Sequence, residues 1–464
     1  MLKKLILERL EKYRDNVFLE TEYEFFTYGK LLYDIQSLDS GNNKKKYAIA
    51  MINGYEIIKT ILSLIIRNNP PLLLNPALPA DILNKTIKKL NFEHIINKEN
   101  NLKDSNIPIE NYEEKDDYAA FYLLSSGTTG DPKMAARSHR SIVEQCKILV
   151  KAFHLNEKSR VLAIPPFFHS YGVEAILFNT IYAGGTLIIP EKPGFGMSMA
   201  ENLDKFNLTH IFANPPLVKL LDNFKKNNSE KLNTVKTVIT AGSLLDDKSA
   251  ESFKNQFKFN AAPVYGLSEV GCVAVSSGNK EIKNGYAGDL FPEFEIKTTD
   301  VYGATLEQGE KGVIWIKKPY NDLGYPLQKE KTDELFQNGW FKTNDIGYFN
   351  EEKEIFLTGS RSDSLNIGGE KVDPGDIELA IMEHKEVEEC VVFGIPHKIY
   401  GNIVKSIIYS KTLKEDNLRE FLSDKLEPVA IPSKIEIIDI PLKRTAAGKI
   451  SRFLYSNEIK KEIE

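Results

Sequence analysis

Cysteine is nearly absent. The chain has three in 464 residues, Cys146, Cys272 and Cys390, far apart and with no CxxC pair. That spacing argues against a disulfide framework and against a structural zinc site, and points to a reducing, cytoplasmic setting. An excess of positive charge is also missing. Sixty basic residues face 65 acidic ones, for a net charge of −5, so nothing marks a nucleic-acid-binding surface. No long apolar run is present either. The most apolar stretch, Ile57 to Ile66, is interrupted by Lys59 and ends at Arg67. It is too short to span a bilayer and reads as a buried helix, so no transmembrane segment is expected. The first residues, Met1 to Leu7, lose their apolar character at Glu8 without a small-residue cleavage site. They read as the start of an amphipathic helix, not as a signal peptide. Low-complexity tracts and internal repeats are missing too.

What is present is enough apolar material for more than one core, with 42% hydrophobic residues over a length suited to two or three domains. Short β-branched runs alternate with helical patterns: 47–52, 161–164, 186–189, 210–213 and 237–240. Each is followed within a few residues by Pro, Gly or Asn and then by a helix-like segment, which predicts an α/β layered fold. From Gly285 to Phe356 short strands with turn residues between them predict a β-rich region. After Arg361 about 100 residues carry their own strands (from Glu389 and Lys434) and helices (376–383 and 415–425). A boundary is expected near 360–363, where polar residues and glycine cluster.

The most informative segment is Leu123-Leu-Ser125-Ser126-Gly127-Thr128-Thr129-Gly130-Asp-Pro-Lys133. A strand over 120–124 runs into a loop that offers backbone N–H groups, hydroxyls and one ammonium. Those donors suit the oxygens of a polyphosphate, and glycine allows close approach of the backbone. It is not a Walker A loop, because Gly130 is followed by Asp-Pro-Lys-Met and not by Lys-Ser/Thr.

This segment closely resembles the Ser-Gly-Thr-Thr-Gly-x-Pro-Lys-Gly signature of the adenylate-forming superfamily of acyl- and aryl-CoA synthetases, luciferases and carrier-protein adenylation domains. Met134-Ala135 departs from the usual Gly-Val. Further motifs follow in the family's order. Ile164-Pro-Pro-Phe-Phe168-His169-Ser170-Tyr171-Gly172 is similar to the acyl-pocket motif. Ala241-Gly242-Ser243-Leu244 partly matches the adenine turn, where the family usually has Ala-Pro at the last two positions. Tyr265-Gly266-Leu267-Ser268-Glu269 resembles Tyr-Gly-x-Thr-Glu. Gly339-Trp-Phe-Lys-Thr343-Asn344-Asp345 resembles Gly-Trp-x-x-Thr-Gly-Asp. Gly359-Ser-Arg361-Ser-Asp363 and Gly368-Gly369-Glu370-Lys-Val resemble the domain crossover, in wording similar to aryl-acid activating members and succinylbenzoate ligases. Thr445-Ala-Ala-Gly448-Lys449-Ile-Ser-Arg452 resembles Thr-x-x-Gly-Lys-Ile-x-Arg.

The resemblance implies a large N-terminal domain over 1–360, built of layered α/β subdomains and a β-rich subdomain. A hinge at 361–363 and a small mobile α+β C-terminal domain over 364–464 would follow. It implies ATP and Mg²⁺ as cofactors, with coenzyme A or a phosphopantetheinyl carrier as thiol cosubstrate. Lys449, Thr128, Glu269 and His169 are the expected catalytic residues, and Glu269 is the metal ligand. Ser125, Ser126, Gly127, Thr129, Gly130 and Lys133 would bind phosphates. Gly242, Ser243 and Tyr265 would take the adenine, Gly266 and Ser268 the α-phosphate turn, and Asp345 and Arg361 the ribose. Phe168, Ser170, Tyr171 and Gly172 would line the substrate pocket. Asp363 is the hinge residue, and Gly368 and Gly369 would line the thiol channel.

The implied function is ATP-dependent activation of a small carboxylic acid to acyl-AMP, followed by transfer to a thiol. His169 stands where amino-acid-activating members carry an Asp, so an aryl or fatty acid is expected. Loading of a carrier protein, the oxygenating chemistry of a luciferase, and a non-catalytic binding protein of the same fold remain as alternatives. The protein could be a monomer or a homodimer.

Overall fold

In the computed structural model of the chain, the described residues are 1–38, 45–78, 80–98, 117–125, 133–190, 203–276, 280–283, 285–300, 302–360, 365–367, 370–397, 401–426, 428–444, 450, 452 and 455. The β-branched runs become strands because their side chains pack on both faces between helices, as in a buried parallel sheet. Six parallel strands lie in the order Ala262–Leu267, Thr237–Thr240, His210–Ala213, Arg160–Leu162, Thr186–Ile188 and Val17–Glu20, with Phe25–Thr27 antiparallel at the edge. Beyond Ala262–Leu267 the same sheet continues in antiparallel fashion through Gly271–Val275, Tyr286–Leu290, Glu354–Ser360, Trp340–Phe349, Gly312–Lys317 and Glu295–Thr299. The β-rich region expected after Gly285 is therefore one half of a mixed, 14-stranded sheet among the described residues. Strand Ala262–Leu267 is the seam where parallel pairing gives way to antiparallel.

A second, five-stranded sheet holds His94–Ile96, Tyr47–Ile49, Leu72–Leu73 and Ala119–Ser125 in parallel, with Lys133–Ser138 antiparallel at its edge. Between the two sheets lie helices such as Tyr55–Ile66, which is buried at nearly every position, as its apolar sequence requires. The amphipathic start of the chain forms helix Leu2–Lys12, with Leu2, Ile6 and Leu10 turned inward. The described residues contain no helix long and apolar enough to cross a membrane.

The C-terminal part has its own hydrophobic clusters, drawn from residues 365–455, around a sheet of Glu389–His397, Gly401–Tyr409 and Lys434–Ile438. Helix Pro374–Met382 starts with Pro374 after the capping carboxylate of Asp373, which accepts from Gly375 N at 2.8 Å. This cap is wedged against the end of strand Glu354–Ser360. A Cβ on Gly359 would lie 2.2 Å from Asp373 Oδ1, and one on Gly375 would lie 2.3 Å from the Thr358 carbonyl. Only glycine admits that approach.

Candidate active site

In open α/β sheets ligands collect beyond the carboxyl ends of the parallel strands. Three of the motifs fall there. Strand Arg160–Leu162 leads into the 164–172 motif, Thr237–Thr240 into Gly242–Ser243, and Ala262–Leu267 into Ser268–Glu269. Gly242 has a φ of +95° and is exposed together with Ser243, which leaves a bare turn of backbone.

Tyr265, Gly266, Ser268 and Glu269 sit on one hairpin. Strand Ala262–Leu267 pairs with Gly271–Val275, with Leu267 opposite Gly271 and a register shift between Tyr265 and Gly266. The Tyr265 hydroxyl donates to Asp345 Oδ2 at 2.5 Å. Burial, then the negative charge of Asp345, raises the tyrosine well above its ordinary pKa, so it stays protonated and remains a donor. Asp345 is itself anchored, because its N–H donates to Thr343 Oγ1 at 3.1 Å and the threonine hydroxyl donates to the Ile314 carbonyl at 2.8 Å. The aromatic face and the carboxylate, 80 positions apart, thus form one unit.

At the tip of the hairpin Glu269 is half-buried. Its Oε1 accepts from the Tyr325 hydroxyl at 2.5 Å. A carboxylate has about four lone-pair sites, so this bond leaves acceptor capacity for a hard cation. The described residues contain no cluster of three or more His, Cys, Asp or Glu side chains able to hold a metal by themselves. A single carboxylate of this kind fits Mg²⁺, which is usually bound through one or two carboxylates with substrate phosphates completing its shell.

The acyl-pocket motif is held from behind by a residue that sequence reading passed over. Asn53 donates to the carbonyls of Ala163 (3.2 Å) and Pro165 (2.9 Å) and accepts from Phe167 N–H at 2.9 Å. The segment 171–178 is a π-helix, a form found often at functional sites. Gly172, its second residue, packs against the preceding turn, where a Cβ would lie 2.1 Å from the Pro166 carbonyl. Phe168 and His169 are half-buried with ring centroids 4.6 Å apart, and Ser170 is half-buried beside them. The Tyr171 hydroxyl reaches the carbonyls of Ile239 (3.0 Å) and Ala213 (3.2 Å). Its hydrogen bond therefore goes to the strand ends, and the ring is what it can offer a ligand.

Ser125 and Lys133 stand opposite each other in the register of the second sheet. Residues 126–132 lie outside the described residues, and with them Ser126, Gly127, Thr128, Thr129 and Gly130. So do Arg361, Asp363, Gly368, Gly369 and Lys449.

Beneath the hairpin tip lies a buried ionic cluster that was also missed. Arg137, on the strand that starts at Lys133, donates to both oxygens of Glu174 (2.8 and 3.0 Å), to Asp322 (2.7 Å) and to the Glu269 carbonyl (2.9 Å). Lys318 donates to Asp322 and, at 2.7 Å, to the Val270 carbonyl. Burial pulls the Arg137 pKa down, but Glu174 and Asp322 more than restore it. Burial lowers Lys318 to about 8, with Asp322 opposing the shift. One signal was available in the sequence: a charge inside each of two apolar stretches, Met134-Ala-Ala-Arg137 and Val173-Glu174-Ala-Ile. Charged residues are almost never fully buried without a partner.

The AMP-binding enzyme family model matches residues 76–326, more than half the chain, and the model of that family's C-terminal domain matches 376–449. The chain belongs to the AMP-binding enzyme family. Among AMP-binding relatives, 2-succinylbenzoate–CoA ligase of Listeria monocytogenes serotype 4b is 30% identical over 345 residues, covering 72% of this chain and 69% of that one. The 4-coumarate–CoA ligase-like protein 4 of Oryza sativa is 28% identical over 348 residues, covering 72% of this chain; the match spans only 62% of the rice protein. The fold matches ATP-bound MatB from Rhodopseudomonas palustris with a TM-score of 0.88 at 21% identity, over 100% of both chains. O-succinylbenzoate coenzyme A synthetase from Bacillus subtilis, in complex with AMP, matches with a TM-score of 0.85 at 21% identity over 98% of both chains.

Proposed function

We propose that this protein is an acid–thiol ligase that activates a carboxylic acid with ATP and transfers the acyl group to coenzyme A. The observation that carries the reading is the Tyr265–Asp345 hydrogen bond on the hairpin whose tip presents Glu269. An aromatic ring hydrogen-bonded to a carboxylate, on the strand that leads to a second carboxylate, supports reading the three as adenine, ribose and metal groups. The names of the two relatives, a CoA ligase and a CoA ligase-like protein, support the same reaction class.

Tyr265, Gly242 and Ser243 would hold the adenine, and Asp345 and Arg361 the ribose. Ser125 to Thr129, Gly130 and Lys133 would hold the phosphates, with Gly266 and Ser268 at the α-phosphate. Glu269 would hold Mg²⁺, which neutralises phosphate charge when bound. An oxygen of the substrate carboxylate bonds to the α-phosphorus, the bond to the bridging oxygen breaks, and pyrophosphate leaves. Both partners are anionic, so the barrier depends on positive groups placed where charge accumulates. Lys449 and Thr128 are assigned that role, and His169 a place beside the acyl group. The thiol sulfur then bonds to the acyl carbon, its proton is lost, and AMP departs.

The division into 1–360, a hinge at 361–363 and 364–464 lets one site serve both steps, with Asp363 as pivot and Gly368–Gly369 lining the thiol path. Separate hydrophobic clusters on the two sides support that division. A cytoplasmic setting is supported by three buried free thiols.

Phe168 and Tyr171, with His169 in place of an amine-binding Asp, favour a monocarboxylic acid with an apolar or aromatic body; Phe167, expected beside them, is buried in the core. Exchange of labelled pyrophosphate into ATP across a panel of acids tests the reading. AMP and pyrophosphate are the expected products. ADP and phosphate would overturn the reaction class, and exchange driven by amino acids alone would overturn the substrate class. Supplying coenzyme A and a phosphopantetheinylated carrier protein in parallel decides the acceptor.

A further inference from the structure

We propose that Arg137, Lys318 and Tyr325 are positioning residues that fix the Glu269 carboxylate for its metal, with Glu174 and Asp322 holding the two cations in place. The proposal rests on Glu269 being the magnesium ligand.

Three donors grip one turn from three directions. Arg137 Nη1 takes the Glu269 carbonyl at 2.9 Å. Lys318 Nζ takes the next carbonyl, Val270, at 2.7 Å. The Tyr325 hydroxyl takes the Glu269 carboxylate itself at 2.5 Å. Two successive peptide units and the side chain between them are thereby fixed, which leaves the second carboxylate oxygen little freedom of direction.

The cations are held as firmly as the turn. Arg137, Lys318, Glu174 and Asp322 have side-chain exposures of 0%, 3%, 2% and 4%. Their four charges balance, and Asp322 bridges the two cations. The turn leaves no slack on its far side. Gly271 has a φ of +76°, and a Cβ there would lie 2.6 Å from Arg137 Nη2 and 3.0 Å from Glu174 Oε2. Gln145 closes the ring by donating to the Cys272 carbonyl (2.8 Å) and accepting from Cys272 N–H (3.0 Å).

The same cluster reaches the strand that leaves the phosphate-loop segment. Arg137 is four residues beyond Lys133, and Ala136 N–H donates to the Gly324 carbonyl at 2.9 Å. Gly324 immediately precedes Tyr325. A single short segment, 318–325, therefore ties the strand that starts at Lys133 to the turn that carries Glu269. Buried ion clusters add little net stability compared with apolar packing. Keeping one in contact with a reactive turn makes sense as a means of direction, as outer-sphere partners orient metal ligands elsewhere.

ATP affinity, measured by calorimetry on the full-length protein with and without Mn²⁺, separates positioning from mere support. The ratio of the two affinities is the metal's own contribution. Tyr325→Phe removes one hydroxyl and keeps the ring. Lys318→Met removes one hold while Asp322 keeps Arg137. Both should lower the ratio roughly tenfold or more, the range found when outer-sphere partners of a metal ligand are lost. Metal-free ATP affinity should stay within about twofold, and thermal unfolding should show a folded protein. Glu269→Gln is the reference and should erase the ratio. If Glu269→Gln leaves the ratio intact, the ligand assignment itself fails. If Glu269→Gln erases it while Tyr325→Phe and Lys318→Met keep the wild-type ratio, or lose metal-free ATP affinity in equal measure, the positioning role is overturned.

Discussion

Two sets of ion pairs show how differently this molecule treats its two ends. Under the Glu269 turn, Arg137, Glu174, Asp322 and Lys318 are almost wholly removed from water. Where the C-terminal part meets the rest, two charged contacts among the described residues lie at the surface. Lys311 pairs with Asp376 at 38% and 41% side-chain exposure, and Lys248 Nζ donates to the His384 carbonyl at 2.6 Å. A buried pair is expensive to break, because the survivor is left as an uncompensated charge, whereas an exposed pair contributes little. The first arrangement suits a part that must not move. The second suits the movement proposed for the C-terminal part.

The sharpest way to break this contrast is to separate the half-reactions. Lys449→Ala is expected to reduce pyrophosphate exchange on the order of a hundredfold or more, the scale for losing one transition-state donor, and to spare thioester formation from supplied acyl-AMP. Gly369→Trp should do the reverse. Equal loss of both half-reactions in folded Lys449→Ala protein would remove the basis for a mobile C-terminal domain.

Stability provides the next test. Arg137→Met should cost about 3–5 kcal/mol in denaturant unfolding, since Glu174 and Asp322 lose their shared cation. Lys311→Met should cost less than about 1 kcal/mol. Comparable costs would mean that the two regions are not different in kind.

A smaller effect is expected at the nucleotide platform. Tyr265→Phe keeps the ring and loses the hydrogen bond to Asp345, a bond to a charged group of the sort that contributes about 1.5–3 kcal/mol. The KM for ATP should rise with kcat little changed; an unaltered KM would count against the pairing as a binding device.

The smallest effect concerns pH. Burial against Gly359 raises Asp373 to about 6, with the neighbouring Asp376 adding to the shift and the Gly375 N–H opposing it. The folded state therefore holds this proton more tightly than the unfolded state. The stability gained is full below about pH 4, the unfolded value, and is lost as pH rises through about 6. Asp373→Asn preserves a capping side chain and should flatten that part of the stability profile. A wild-type slope in the variant would assign the titration elsewhere.

The fold was legible where local pattern and burial agree. The runs at His210–Ala213 and Thr237–Thr240 are strands over those same residues, because β-branched side chains bounded by Gly or Asn leave few options. Lys133–Ser138 was not foreseen. Its Lys, Met and Ala residues favour helix, and only pairing with Ala119–Ser125 makes it a strand. The π-helix at 171–178 was equally hidden, since its apolar sequence fits an ordinary buried helix as well. Motif residues such as Tyr265 and Asp345 could be named from their wording, but the bond between them could not, because it joins two strands of the final sheet. Arg137, Glu174 and Asp322 had no motif to announce them. Their meaning depends on a meeting across 185 positions.

Strand Ala262–Leu267 has one further consequence. It is paired on both edges, with Thr237–Thr240 on the parallel side and Gly271–Val275 on the antiparallel side. Its first two residues, Ala262 and Pro263, meet the parallel neighbour and 264–267 meet the antiparallel one, so the strand is an interior member of the sheet and its paired amides open less readily than those of a fraying edge. Glu269 sits two residues past the end of that strand. The carboxylate assigned to the metal thus hangs from the interior of the sheet and not from its frayed margin, so loosening of an edge strand such as Phe25–Thr27 should leave its footing unchanged.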